Sequence, residues 1–355
     1  MNSSAKVRNP SMDIIRCFAL FCVISVHFFL NSGFYDVPIS GICAFFLVLI
    51  RNFFMICVPL FMVLSGYLLR KKQVSKQYYL RIIQILTIYV LASVSCALYR
   101  ITLPPHDFSV AGTVIGILGY YTAPYGWYIG MYIGLFLLIP FLNILYNHIP
   151  SKTLKTVFLL SLGFLTAAPS LVNDFFPVFP DYWTSIYPLT YYFIGCYLSE
   201  YPLNLKQRTN ILLIGLVCII SGSVSYYSSL GSTFQWSAWQ GHESTCSMLQ
   251  TILVFSFLAQ RDYSRLGIKS RKFFSHISNC CLGAYLVSWI FDSIFYEILN
   301  NYQPIVFHRA VFFIPITLAV YVCSVLLSTI LNFIYTLTVG RIMNRLSMQK
   351  KTVSP

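Results

Sequence analysis

Residues 12–30 read "MDIIRCFALFCVISVHFFL". Three of these side chains are acidic or basic, Asp13, Arg16 and His27, and nearly all the others are apolar. A bilayer-crossing helix needs about 20 predominantly apolar residues, so the run is long enough to span. It is too long for the apolar core of a signal peptide, and no small-residue cleavage site follows it. The stretch therefore reads as a retained first membrane span, preceded by the polar segment "MNSSAKVRNPS".

The rest of the chain extends that reading. Of 355 residues, 57% are hydrophobic and only 10% are charged, with a mean hydropathy of +0.71. A soluble domain carries about 25% charged residues. No polar stretch is long enough to make a second, soluble domain. The expected fold is all-α, a polytopic transmembrane helix bundle over 1–340, followed by a short basic tail at 341–355. Apolar runs predict about ten spans: 12–30, 52–69, 78–98, 127–146, 153–171, 185–199, 210–229, 244–260, 277–298 and 310–338. The shorter stretches 39–50 and 108–121 read as interfacial or re-entrant segments.

The net charge of +14 would point to nucleic acid in a soluble protein. In a membrane protein, Lys and Arg collect on the cytoplasmic side and set the orientation. With the N-terminus inside, ten spans leave 19 of the 24 basic residues on the inner side. Only Arg51, Arg100 and Arg309 fall outside, and Arg16 and Arg81 lie within spans. This predicts both termini in the cytoplasm and excludes nucleic acid as a partner; membrane lipids are the expected surroundings. Acids and aromatics occupy the outer loops instead: Asp36, Asp107, Asp174, Asp181, Trp183, Trp236, Trp239 and Glu243. The eleven cysteines show no metal-ligand spacing and read as small buried hydrophobes, so no metal is expected. No Gly-rich phosphate loop or internal repeat is present.

Charges inside spans are functional candidates, because their burial in hydrocarbon is costly. Asp13 and Arg16 are three residues apart and can pair on one helix face. His27 follows Arg16 by eleven residues. At 100° per residue, it returns to within about 20° of the same face, about 16 Å further along the axis. The two share a stripe but cannot touch. Alone, a helix histidine reads as a satisfied structural residue. Downstream come "VPLFMVLSGYLL" at 58–69, "YYLRIIQILTIY" at 78–89 headed by Arg81, "YGWYIGMYIGLFLLIPFLN" at 125–143, and "SNCCLGAYLVSWIF" at 278–291.

In order and spacing, these segments resemble the acyltransferase 3 family of integral-membrane O-acyltransferases, including proteins that acetylate bacterial surface polysaccharides. The resemblance covers nearly the whole chain. It implies acetyl-CoA as a cytoplasmic acyl donor (a co-substrate) and a hydroxyl of a surface or capsular polysaccharide, or of its lipid-linked precursor, as acceptor. The protein would then sit in the plasma or inner membrane. His27 matches the family's catalytic histidine and Arg16 its partner arginine. Arg81 matches the first arginine of an Arg-x-x-Arg donor motif whose second position here is Gln84, and Ser288 stands where the family often has histidine.

The chemistry agrees with these roles. A base must take the hydroxyl proton, a task that suits His near neutral pH, and Arg suits the phosphates of CoA. Trp127 and Tyr128 can stack on a sugar or an adenine, or anchor the helix at the interface. Ser65 and Tyr67 can donate hydrogen bonds, although Ser65-Gly66 also suits close helix packing. Asp292 is an intramembrane acid that calls for a partner. A flippase or a polymerase for a lipid-linked glycan is the alternative. A transporter would carry ionisable groups near the midplane of several spans, whereas here they concentrate in spans 1, 3 and 9.

Overall fold

The computed structural model describes residues 8–104, 109–173, 176–236 and 238–343. Lys6, Asp107, Asp174 and most of the basic tail, with Arg345, Lys350 and Lys351, lie outside the described residues. In chain order the helices are α1 (Pro10–Asn31), α2 (Gly41–Phe54), α3 (Cys57–Leu69), α4 (Lys76–Tyr79), α5 (Ile82–Ile101), α6 (Val110–Leu118), α7 (Trp127–His148), α8 (Lys152–Ala167), α9 (Pro169–Val172), α10 (Tyr187–Glu200), α11 (Gln207–Ser229), α12 (Thr245–Ala259), α13 (Ile268–Tyr302) and α14 (Phe313–Leu337). Among the described residues the only β-type pairing is an isolated bridge between Ile39 and Leu230. The fold is all-α, as expected.

Every predicted span is occupied by helix. Among the described residues, seven helical stretches are long and apolar enough to cross a membrane: Pro10–Asn31, Gly41–Leu69, Lys76–Ile101, Trp127–His148, Gln207–Ser229, Ile268–Tyr302 and Val306–Leu337. At 1.5 Å per residue, α8, α10 and α12 reach only about 21–24 Å, short of a roughly 30 Å hydrocarbon core. The exposed residues identify the solvent. Along α14, Ile314, Leu318, Val322, Leu326 and Ile330 are exposed at four-residue steps, a stripe that water would not tolerate and lipid would cover.

One segment departs from expectation. Residues 39–50 are not a separate interfacial piece. They join the next span in the 29-residue stretch Gly41–Leu69, interrupted only at Met55 and Ile56 between α2 and α3. Pro59 explains the break. It lacks an N–H for the carbonyl four residues back, that of Met55, and its ring crowds that position. The freed Met55 carbonyl accepts a hydrogen bond from His242 Nδ1 at 3.0 Å.

The chain forms two compact units, one of residues 1–71 and 145–279, the other of 72–144 and 280–355. Thus α7 and α13 each contribute to both. In the first unit α1 packs on α2, α3 and α12, α3 on α10, and α2 on α11. The start of α1 is set locally: the Asn9 side chain accepts from the Ser11 N–H, and Pro10 opens the helix, where its missing donor does no harm. The α3–α10 crossing is made by two glycines. A Cβ on Gly66 would collide with the Tyr192 carbonyl, and one on Gly195 with the Val63 carbonyl. Ser65 turns its hydroxyl back to Phe61 O of its own helix at 2.8 Å. In the second unit α5 packs on α6 and α14. There Ser328 Oγ donates to Cys280 O at 2.7 Å, and Tyr78 stacks on Phe136 at 4.5 Å. Eight of the eleven cysteines are buried thiols.

Candidate active site

The first unit holds His27, Arg16, Asp13 and Tyr67. His27 is 8% exposed on the unbroken helix α1, so the axial separation of about 16 Å from Arg16 stands. Arg16 Nη1 donates to Ser278 Oγ of α13 at 2.8 Å. Asp13 is buried, but its observed partner is not the expected Arg16. Arg8 reaches back with Nε to Oδ2 at 2.7 Å and with Nη2 to Oδ1 at 2.6 Å. This two-pronged geometry matches guanidinium to carboxylate better than a single contact three residues along the helix. Arg8 Nη2 also approaches Ser278 Oγ at 3.3 Å, so one buried serine receives both arginines. Tyr67 lies against the Phe255 ring at 5.4 Å and lines a small cavity of about 160 Å³.

The second unit holds Arg81, Gln84, Trp127, Tyr128 and Asp292. Arg81 is the exposed residue just ahead of α5, and Gln84 is exposed one turn on. Trp127 begins α7 and is 47% exposed, whereas Tyr128 is buried. Tyr128 stacks on Tyr132 at 5.8 Å and meets Tyr285 edge-on at 5.8 Å. Asp292 is fully buried and accepts from the Tyr125 hydroxyl at 2.8 Å. Tyr285 in turn donates to the Tyr125 carbonyl. Ser288, at the position where a histidine was expected, donates to Tyr285 O at 2.8 Å.

The sequence matches the acyltransferase 3 family model, described as an acyltransferase domain, over residues 9–333. The chain belongs to the acyltransferase 3 family. It matches no curated protein and no solved structure. The protein is thus a membrane acyltransferase with several spans, and the alternative of a flippase or polymerase gives way to acyl transfer.

Sequence reasoning missed Arg51, which it assigned to an outer loop. In the acyltransferase this residue is 1% exposed. Its guanidinium carbon stands 5.0 Å and 4.9 Å from the ring centres of Phe234 and Trp236. Its Nε donates to the Tyr35 hydroxyl at 3.1 Å, and its Nη1 to Asn52 Oδ1 at 3.1 Å and Gln240 O at 3.4 Å. Among the described residues no carboxylate forms an ion pair with it. Aromatic faces and carbonyls take that place. The signal was available in the apolar pattern on both sides of Arg51, which a loop would not show. Arg51→Lys keeps the charge but loses the planar fork and the stacking. It should destabilise the fold by about 1–3 kcal/mol, read as a lower melting temperature of the detergent-solubilised protein. An unchanged melt would mean that the aromatic box holds nothing together.

His242, in the loop before α12, sits beside this box. Burial pushes its pKa down to about 4, the nearby Arg51 charge adds to the effect, and the Met55 carbonyl opposes it. The unfolded histidine protonates near pH 6.5. Between pH 6.5 and 4 the unfolded chain therefore binds a proton that the folded protein does not, and stability falls as the pH drops through that window. The loss should be about 1–3 kcal/mol. His242→Gln, which can still donate to Met55 O, should lose this part of the pH dependence. Melting curves at pH 7 and 4.5 for both proteins check it, and equal slopes would contradict it. Among the described residues no three His, Cys, Asp or Glu side chains are grouped to hold a metal.

Proposed function

We propose that the protein is an O-acetyltransferase. It takes an acetyl group from acetyl-CoA on the cytoplasmic side and passes it to a sugar hydroxyl of a cell-surface or capsular polysaccharide, or of its lipid-linked precursor. The observation that carries this reading is the buried His27 on α1, eleven residues beyond Arg16, in a chain of the acyltransferase 3 family. A buried imidazole within a membrane span is an expensive placement that a transfer reaction puts to use.

In the proposed step, neutral His27 takes the proton of the acceptor hydroxyl as its oxygen attacks the thioester carbonyl. The carbon–sulfur bond breaks, the imidazolium returns the proton to the departing thiolate, and an O-acetyl ester and free CoA thiol result. Arg16 serves the donor side of α1. Arg81 and Gln84, exposed at the start of α5, are proposed donor contacts. Gln84 brings no charge to that task. Trp127, Tyr128, Tyr67, Asp13 and Asp292 are proposed supports. Purified protein in proteoliposomes should transfer labelled acetyl from acetyl-CoA to glycan, releasing one thiol per ester formed. Thiol release without any dependence on glycan would contradict the acceptor assignment, and labelled transfer from another acyl-CoA in preference would correct the donor.

A further inference from the structure

A cavity of about 440 Å³ opens in the first unit between the start of α1 and the first turns of α13, within the roughly 300–1,000 Å³ range of small-molecule sites. Its α13 wall is a single helix face, since Arg271, Ser275 and Asn279 recur at four-residue steps, and Lys272 and His276 do the same beside them. The one acid in the lining, Asp13, is held through both oxygens by Arg8, so that pair offers no net charge. Arg271 is pinned by backbone carbonyls only: Nε to Leu266 O at 2.9 Å and Nη2 to Ser264 O at 2.7 Å. Its charge, with that of the exposed Lys272, is left facing a site in which, among the described residues, no further carboxylate takes part. Such a cavity selects an anion, and cations with hydroxyl and amide groups suit phosphate esters.

Its place on α1 narrows the choice. Ser278 accepts from Arg8, which lines the cavity, and from Arg16. From Asp13, also in the lining, α1 runs on unbroken to His27, a rise of about 21 Å. A lipid headgroup satisfies the charge alone. A donor with phosphates at one end, an acyl thioester at the other and a long arm between satisfies both charge and distance. We propose that this cavity binds the phosphate-bearing nucleotide end of the acyl-CoA donor, with Lys272 and Arg271 as its cations. The proposal rests on the CoA-donor reading above.

Calorimetric titration of CoA into the full-length protein in phosphatidylcholine nanodiscs tests it. Lys272→Glu should weaken CoA binding by tenfold or more at an unchanged melting temperature, and Lys272→Gln should weaken it less. CoA binding to the wild type that neither variant alters would overturn the cavity assignment and leave the donor reading standing. A wild type that binds no CoA would overturn both. In that case a melting temperature raised by phosphatidylglycerol nanodiscs, and no longer raised in Lys272→Glu, would assign the cavity to a lipid headgroup instead.

Discussion

His27→Ala is expected to lower the acyl-transfer rate by about 10²–10⁴-fold, the usual contribution of a positioned general base. The protein should still insert in the membrane and bind donor with little change. The expectation follows from position. His27 is buried on a helix that is continuous from Pro10 to Asn31, and Phe28 and Phe29 beside it are buried as well. Alanine leaves α1 intact, being the better helix former, but removes the only group on that stretch suited to take and return a proton near neutral pH. His27→Gln separates shape from chemistry. It keeps polarity and much of the volume and cannot serve as the base, so it should be about as slow as His27→Ala. Labelled transfer measured at saturating donor reads both variants. Activity retained in His27→Gln would make this histidine a packing residue.

The second large effect concerns folding. Gly66→Ala should destabilise the protein by about 1–3 kcal/mol or more, because the added methyl meets backbone rather than a side chain that can swing away. The obstacles are the Tyr192 carbonyl oxygen and carbon and the Cys196 nitrogen. Gly195→Ala should do the same from the opposite side, against Val63 O and Tyr67 N. Both methyls force α3 and α10 apart at one crossing, so the double variant should lose less than the sum of the singles. Melting in detergent, with a double-variant cycle, measures this. Additive losses would mean that the two glycines act at independent sites.

The sequence makes α1 legible to within two residues, 12–30 against Pro10–Asn31, because the apolar run marks its length; the Asn9 cap and Pro10 that set its start are polar-side features the run does not include. It did not disclose that 39–50 continues into the second span. A proline break looks the same in sequence as a boundary, and nothing local says that His242 will take up the carbonyl that Pro59 leaves behind. Arg51 was lost for a related reason. Counting basic residues by side treats every arginine between apolar runs as a loop charge, and the aromatic box that buries this one comes from residues about 185 positions later. The basic residues at the start of α13 also fit the cytoplasmic bias that sets orientation, so the four-residue spacing of Arg271, Ser275 and Asn279 does not stand out in the sequence. The Arg8–Asp13 pair was hidden because Arg8 precedes the helix, where helical spacing gives no guidance. The division into two units, each taking part of α7 and α13, depends on packing between distant segments and leaves no mark in composition.

In the proposed function, His27 carries transfer of an acetyl group to a surface glycan. This role is tested most directly by NMR of glycan from cells that make the intact protein and from cells that make His27→Ala at equal membrane levels. O-acetyl signals are expected on the glycan in the first case and their loss in the second, with the amount of glycan unchanged. O-acetylation that persists undiminished in His27→Ala would contradict it.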